Sequence, residues 1–324
     1  MSKVLWKGKD VLRIVKGHGP SDWNAYGISI DTRTLRKGDI FFALAGPNYD
    51  GHQFINEAIK KGACAVVSNA PVLNHQKKVI VVNDVVKALI ALGKSSRNRN
   101  KGKIIAVTGS SGKTTVKEML ALSLSDSGKI HYSQSSYNNK IGVSLSLARM
   151  PADTDFSIFE VGMNNYGEIS YLSKMIKPDI GLINNAGSAH IKYFKSKKEI
   201  EKEKLELIHG LNSGGSLVLN EDISINKSIK NFSKKNNIEL IKFGQKDKSN
   251  NFLINYRYFP DGSLIEANFD TISLSFKMFA PGLHMALNAI AVLSVCNILD
   301  LSLIHISEPT RLLSISYAVF CVKK

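Results

Sequence analysis

The sequence predicts an α/β protein: a small N-terminal α/β domain, then a larger domain built on a mostly parallel sheet. Three observations carry this. Short apolar, β-branched runs alternate with segments of helical period, the pattern of strands joined by crossover helices. One run, Ile104 to Thr108, leads directly into a glycine-rich turn and a further helical stretch. The length, 324 residues, exceeds one average core and fits two domains.

In the first part, Ile40 to Leu44 and Ala65 to Val67 read as buried strands, and Gln53 to Lys61 has apolar residues at helical spacing. Asp84 is placed to cap a helix running to about Lys94. The polar, basic stretch SSRNRNKGK that follows reads as a loop. After the Ile104–Thr108 strand, a helix is expected from about Thr115 to Ser125. Further strands are expected at Phe156 to Val161, Ile180 to Ile183, Ser216 to Leu219 and Leu240 to Phe243. From Phe252 to Ala280 the pattern changes to three short alternating segments, divided at Pro260-Asp261-Gly262 and Asp270, which predicts a small antiparallel addition. Met285 to Leu303 is the most apolar long window. It contains Asn288, Asn297 and Asp300 and reads as a buried helix rather than a membrane span.

Lys and Arg number 43 against 27 Asp and Glu, a formal charge of +16. This balance favours anionic partners, among them phosphorylated small molecules. Lys greatly outnumbers Arg and recurs with Asn and Ile, as in proteins of AT-rich genomes. No dense basic run interleaved with aromatics is present, so nucleic acid is not an expected partner. Three distant cysteines, Cys64, Cys296 and Cys321, provide neither a metal spacing nor a disulfide framework. With no signal-peptide stretch at the N-terminus, a cytoplasmic protein is expected; the expected state is a monomer.

The informative motif is Thr108-Gly109-Ser110-Ser111-Gly112-Lys113-Thr114-Thr115 between a strand and a helix. The two glycines let the backbone turn tightly, so that successive N–H groups face a phosphate, and the helix start adds its dipole. Lys113 can reach the β- and γ-phosphates of ATP, and the Thr114 hydroxyl can bind Mg²⁺. Val107 stands where the usual pattern has its first glycine, so this is a shorter variant of the P-loop.

TGSSGKTT followed by Lys117-Glu118-Met119 resembles the ATP-binding loop of the Mur ligases. Other stretches agree in order: Asp31-Thr32-Arg33, Gly38 to Leu44, Asp50-Gly51-His52, Ser136 to Val143, Glu160 to Met163 with Gly167 to Ile169, Asn184 to His190, and Pro281 to Ala289. The resemblance covers about residues 1–300. It implies an N-terminal uridine-binding domain over 1–83 and a central P-loop domain over 84–301. It also implies an ATP-dependent amide ligase of peptidoglycan synthesis. The γ-phosphate would activate a carboxylate as an acyl phosphate, which an amine then attacks. UDP-MurNAc-tripeptide would supply the carboxylate and D-Ala-D-Ala the amine.

Roles follow by resemblance. Glu160 ends an apolar strand, a usual place for a functional group in an open α/β sheet, and would ligate Mg²⁺; otherwise it is a surface carboxylate. His190 would ligate a second Mg²⁺, or serve as a hydrogen-bonded structural residue. Lys204 would carry CO₂ as a carbamate supporting the second metal. Its neighbours Glu203 and Leu205 depart from the family's small residues, and Lys202 is the alternative register. Asn138 and Asn139 would bond the sugar or peptide of the substrate, or make a turn. Asn288 would contact the adenine, or be a polar helix position. Asp31, Thr32 and Arg33, with Asp50, Gly51 and His52, would serve the uridine diphosphate.

The family's third, C-terminal ligase domain is not expected in this chain. The stretch 302–324 changes character, with no Gly, Asn or Asp from Leu303 onward, and is expected to be a foreign tail. Binding of ATP and UDP-substrate is expected of the 324-residue chain, with little ligation, because domain closure completes such sites. Two rival readings are a sister ligase adding the third amino acid to UDP-MurNAc-dipeptide and a non-catalytic nucleotide- or UDP-sugar-binding protein.

Overall fold

A computed structural model describes residues 3–46, 49–133, 136–187, 194, 196–270 and 272–303. The chain forms two compact units: residues 1–101 with 140–153, and residues 102–139 with 154–324. His190 and the stretch 304–324 lie outside the described residues.

In the first unit, β1 (Trp6–Lys7) pairs antiparallel with β2 (Asn24–Ala25), flanking α1 (Gly8–Val15). Strands β3 (Gly27–Ser29), β4 (Asp39–Phe42), β7 (Ala65–Ser68) and β8 (Val79–Val81) form a parallel sheet in that order. Every residue of β4 and β7 is buried, as in parallel strands covered on both faces. A two-residue pair, β5 (Ala45–Gly46) and β6 (Tyr49–Asp50), precedes a 3₁₀ turn at Gly51–Phe54 and α2 (Ile55–Lys60). The expected helix Gln53–Lys61 is thus divided between two helix types.

Asp84 caps α3 (Val85–Arg99) by accepting a hydrogen bond from the Lys87 N–H at 2.9 Å. The expected loop at 95–103 is corrected: α3 continues to Arg99, and Lys103 already opens the next strand. Tertiary contacts override the polar composition. Ser96 is fully buried and donates to the Met150 carbonyl. The Arg99 guanidinium lies 3.7 Å over the Trp6 ring and donates to the carbonyls of Leu5 and Met150. Helix α5 (Lys140–Ala148) packs along α3 in this same unit. Gly93 permits the close approach, since a Cβ there would stand 2.8 Å from the Ser144 carbonyl oxygen. The units therefore divide the chain differently from the expected boundary at 83/84.

The second unit holds a nine-stranded sheet. Its strands are β9 (Lys103–Thr108), β10 (Ile130–Tyr132), β11 (Phe156–Glu160), β12 (Ile180–Ile183), β13 (Ser216–Asn220), β14 (Glu239–Gly244), β15 (Asn251–Phe259), β16 (Gly262–Phe269) and β17 (Ile272–Met278). The order is β10-β11-β9-β12-β13-β14-β15-β16-β17. Pairing is parallel as far as β15 and antiparallel from β15 to β17. The antiparallel addition is present, with Asp270 in the left-handed region at φ 50° before its last strand. It extends the main sheet through Phe243 beside Asn251.

Helices α4 (Lys113–Leu124) and α9 (Leu283–Ile298) share one apolar cluster with Ile105 and Val107 of β9. The alternate residues, Ile104 and Ala106, are equally buried and face the opposite side, where α6 (Glu168–Ile176) contacts β9. Helices α7 (Lys197–Leu205) and α8 (Lys227–Lys235) complete the unit. No helix among the described residues is long and apolar enough to cross a membrane.

Replacing Arg99 with Ala is expected to destabilise the first unit by about 2 kcal/mol, through the unpaired Leu5 carbonyl and the lost stacking on Trp6. Urea denaturation checks this; an unchanged midpoint would show that the end of α3 does not depend on that contact.

Candidate functional site

Parallel register brings the site together. Glu160 at the end of β11 lies opposite Val107, and Ile183 at the end of β12 opposite Thr108. The glycine turn after β9 therefore sits between Glu160 and the pair Asn184-Asn185. This is the carboxyl edge of a parallel sheet, where ligands of such folds bind.

Gly112 takes φ 74°, a left-handed conformation open to glycine, and α4 starts at Lys113. Ser110 and Ser111 direct their backbone N–H groups at one oxygen, Asn185 Oδ1, at 3.0 and 2.9 Å. Two convergent donors on one oxygen form the cradle that a phosphate oxygen also fits. Lys113 Nζ donates to the Gly109 carbonyl at 2.8 Å. Burial lowers the Lys113 pKa, opposed by attraction to Glu160. Thr108 is buried at the strand end, with its Oγ1 unpartnered, and Thr115 is half-buried in the first turn of α4.

Glu160 is 1% exposed. The Thr114 hydroxyl donates to its Oε2 and Asn138 Nδ2 to its Oε1, both at 3.0 Å. Asn138 is held in turn by the Gly162 N–H, which donates to its carbonyl at 2.8 Å. A buried carboxylate beside a hydroxyl is an all-oxygen donor set. It fits Mg²⁺, which typically takes one or two carboxylates together with substrate phosphates.

Lys204 is 1% exposed on α7, whereas Lys202 is exposed, so burial distinguishes the two registers. Burial, then repulsion by Lys113, lowers the Lys204 pKa to about 7. Asn288 is buried on α9 and accepts a hydrogen bond from Asn184 Nδ2. Asn139 is exposed. His190 lies outside the described residues.

The residues expected to serve the uridine diphosphate lie in the first unit. Asp31 accepts from the backbone N–H and the guanidinium of Arg33, which holds its carboxyl below the usual range. Thr32 is buried beside this turn. Asp50 accepts from the His52 N–H and pairs with its ring at 2.5 Å, while His52 Nε2 is buried without a partner. Gly51 fits tightly against Leu44 and donates to its carbonyl.

The sequence alone places Asn184 and Asn185 in a motif that argues against the sister ligase, without giving either a structural role. Their contacts with the phosphate loop span more than seventy positions of sequence. Lys117 likewise stands in the sequence only as part of the phosphate-loop motif. It is fully buried and donates to the Ser133 carbonyl, which precedes the loop carrying Asn138.

The Mur ligase middle domain matches residues 107–296, and the Mur ligase family catalytic domain matches residues 24–109. A UDP-N-acetylmuramoyl-tripeptide–D-alanyl-D-alanine ligase of Rickettsia prowazekii is 35% identical over 256 residues, covering 78% of this chain and 57% of the relative. A crystal structure of MurF from Acinetobacter baumannii superposes with a TM-score of 0.83 at 27% identity, covering 94% of this chain and 67% of that one. A structure of MurF ligase from Thermotoga maritima in complex with ADP gives 0.74 at 25% identity, covering 87% and 65%. The chain thus spans little more than half the length of the Rickettsia relative. With a middle-domain match over more than half of its length and the phosphate loop at the carboxyl edge of the sheet, the chain belongs to the Mur ligase family.

Proposed function

We propose that this chain belongs to an ATP-dependent carboxylate–amine ligase that joins D-Ala-D-Ala to UDP-MurNAc-tripeptide in peptidoglycan precursor synthesis, as a cytoplasmic monomer. The observation that carries the reading is the convergence on Glu160: phosphate-loop hydroxyl, buried carboxylate and Asn138 meet beside a cradle of backbone donors. The names of the relatives support the choice of substrates within the family.

ATP's phosphates would lie against the Ser110–Thr115 turn, with Lys113 leaving the Gly109 carbonyl to meet them. Thr114 and Glu160 would hold Mg²⁺, which supplies neutralisation of charge on the phosphoryl oxygens. A carboxylate oxygen of the tripeptide would attack the γ-phosphorus, forming an O–P bond as the bond to the β-phosphate oxygen breaks and ADP leaves. The amine of D-Ala-D-Ala would then attack the acyl carbon, a C–N bond forming while phosphate leaves with the C–O bonding pair and the amine loses a proton to solvent. Asn138 and Asn139 would orient the sugar or peptide, and Asn288 the adenine. The Asp31–Arg33 and Asp50–His52 turns would take the uridine diphosphate. His190 would ligate a second Mg²⁺.

Lys204 suits a carbamate. With a pKa of about 7, much of its amine is neutral in a neutral cell. A neutral amine attacks CO₂, forming a C–N bond and releasing a proton to solvent. The product is an anion, so repulsion between Lys204 and Lys113 becomes attraction.

Lys113→Ala is expected to weaken binding of Mg²⁺·ATP to this chain by about tenfold or more, the loss of a charge-assisted hydrogen bond, with an unchanged circular dichroism spectrum. Equal affinities would remove the phosphate-loop assignment. Ligation by the full-length protein, assayed with both donor pairs, tests the substrates: product from UDP-MurNAc-tripeptide with D-Ala-D-Ala supports the reading, and product only from the dipeptide with a single amino acid replaces it. Lys204 also sets a pH dependence. Between about pH 7 and the ordinary lysine value of 10.5, the unfolded chain binds a proton that the folded chain lacks. In CO₂-free buffer its contribution to stability therefore rises with pH across that window. Urea midpoints of Lys204→Met should lack that rise; parallel curves for the two proteins would contradict the burial argument.

A further inference from the structure

Behind the phosphate loop runs a hydrogen-bond chain whose first member, Asn184, has no part in the proposed reaction. Asn184, 3% exposed, follows β12, and Asn288, 6% exposed, lies in the second turn of α9. Asn184 Nδ2 donates to the Ser111 carbonyl at 3.3 Å and to Asn288 Oδ1 at 2.8 Å. A backbone carbonyl only accepts, so the Asn184 atom facing Ser111 has to be its nitrogen. The same nitrogen faces Asn288, so the Asn288 atom there has to be its oxygen. Both amides are thus oriented from one obligate acceptor in the main chain. Reversing Asn184 would set oxygen against oxygen at Ser111, a costly arrangement for buried groups.

Gly112 keeps the two amides in place. A Cβ at this position would stand 2.7 Å from Asn184 Nδ2 and 3.2 Å from Asn288 Oδ1. The phosphate turn and the α9 amide therefore share one tightly packed contact. With its oxygen bonded to Asn184 Nδ2, Asn288 turns the other end of its amide, the N–H groups, away from Asn184. Their recorded partner is the weakly accepting Met285 sulfur, at 3.9 Å.

We propose that Asn184 is a positioning residue that fixes the orientation of the Asn288 amide, so that Asn288 presents its nitrogen to the nucleotide base as a donor. This rests on the reading of Asn288 as a base contact. A donor reads a ring-nitrogen acceptor of the purine, at N1, N3 or N7. Removing Asn184 frees the Asn288 amide to turn and offer its oxygen.

The test is binding of Mg²⁺·ATP, its 1-deaza, 3-deaza and 7-deaza analogues, and inorganic tripolyphosphate to the full chain and to Asn184→Ala, Asn184→Ser and Asn288→Ala. In the wild-type protein, one deaza analogue should bind about tenfold more weakly than ATP, the worth of one hydrogen bond. In both Asn184 variants that ratio should fall towards one, while tripolyphosphate binding persists because Asn185 Nδ2 still donates to the Ser111 carbonyl. Tripolyphosphate binding also reports that the variants keep a folded loop, and the serine variant serves if the alanine variant does not fold. If Asn288→Ala leaves the ratio intact, Asn288 is not the base contact and the underlying reading fails. If Asn288→Ala abolishes it and both Asn184 variants keep it, the base contact stands and the positioning role is overturned. Equal weakening of ATP, the analogues and tripolyphosphate in the Asn184 variants would also overturn it, leaving Asn184 a loop support only.

Discussion

Parallel register at the centre of the nine-stranded sheet is the constraint on which the site depends. Strands β11, β9 and β12 hydrogen-bond side by side with Glu160 opposite Val107 and Ile183 opposite Thr108. Side chains alternate along a strand, so a slip of one residue would turn Glu160 to the other face of the sheet. Burial forbids that slip: Ile104, Ile105, Ala106 and Val107 are all fully buried, between α4 with α9 on one face and the α6 side on the other. The apolar core thereby places a carboxylate beside a glycine turn without either group contributing to the packing.

Around that edge, the polar groups beside Glu160 restrain one another. Thr114 and Asn138 grip the two oxygens of Glu160, Gly162 grips Asn138, and Asn185 grips the turn that carries Thr114. Donors held in position before a charged substrate arrives need little reorganisation during phosphoryl or acyl transfer, which is the basis of electrostatic catalysis. The buried Lys204 adds a group whose charge is adjustable near neutral pH.

Much of this was legible in the residues. Ile104 to Thr108, Ile180 to Ile183 and the run ending at Glu160 are strongly apolar and β-branched, so they declare buried strands, and the functional groups follow their ends. Asp84 declared its helix because a cap is a local interaction. What was hidden depends on distant partners. Ser96 and Arg99 look like loop residues until Met150 and Trp6 are brought beside them. Strand β10 is three half-buried residues with no sequence signature of its own. The roles of Asn184 and Asn185 become visible only when the end of β12 lies against the phosphate turn.

Helix α5 carries a consequence for how this protein can be dissected. The chain leaves the second unit after Asn139, lends Lys140 to Asp153 to the first, and returns at Thr154. The middle-domain match runs from 107 to 296 straight through this excursion, so its boundaries do not coincide with those of the folded units. A clone of residues 1–101 alone would lack α5, leaving the face of α3 around Gly93 without the helix that packs there. It would also lack Met150, whose carbonyl is the partner of Ser96 and Arg99. A clone starting at Gly102 would carry α5 with its own apolar face uncovered. The two units are therefore distinct in space yet inseparable as genes, and recombination that exchanges one of them between related proteins has to bring residues 140–153 along with the N-terminal segment.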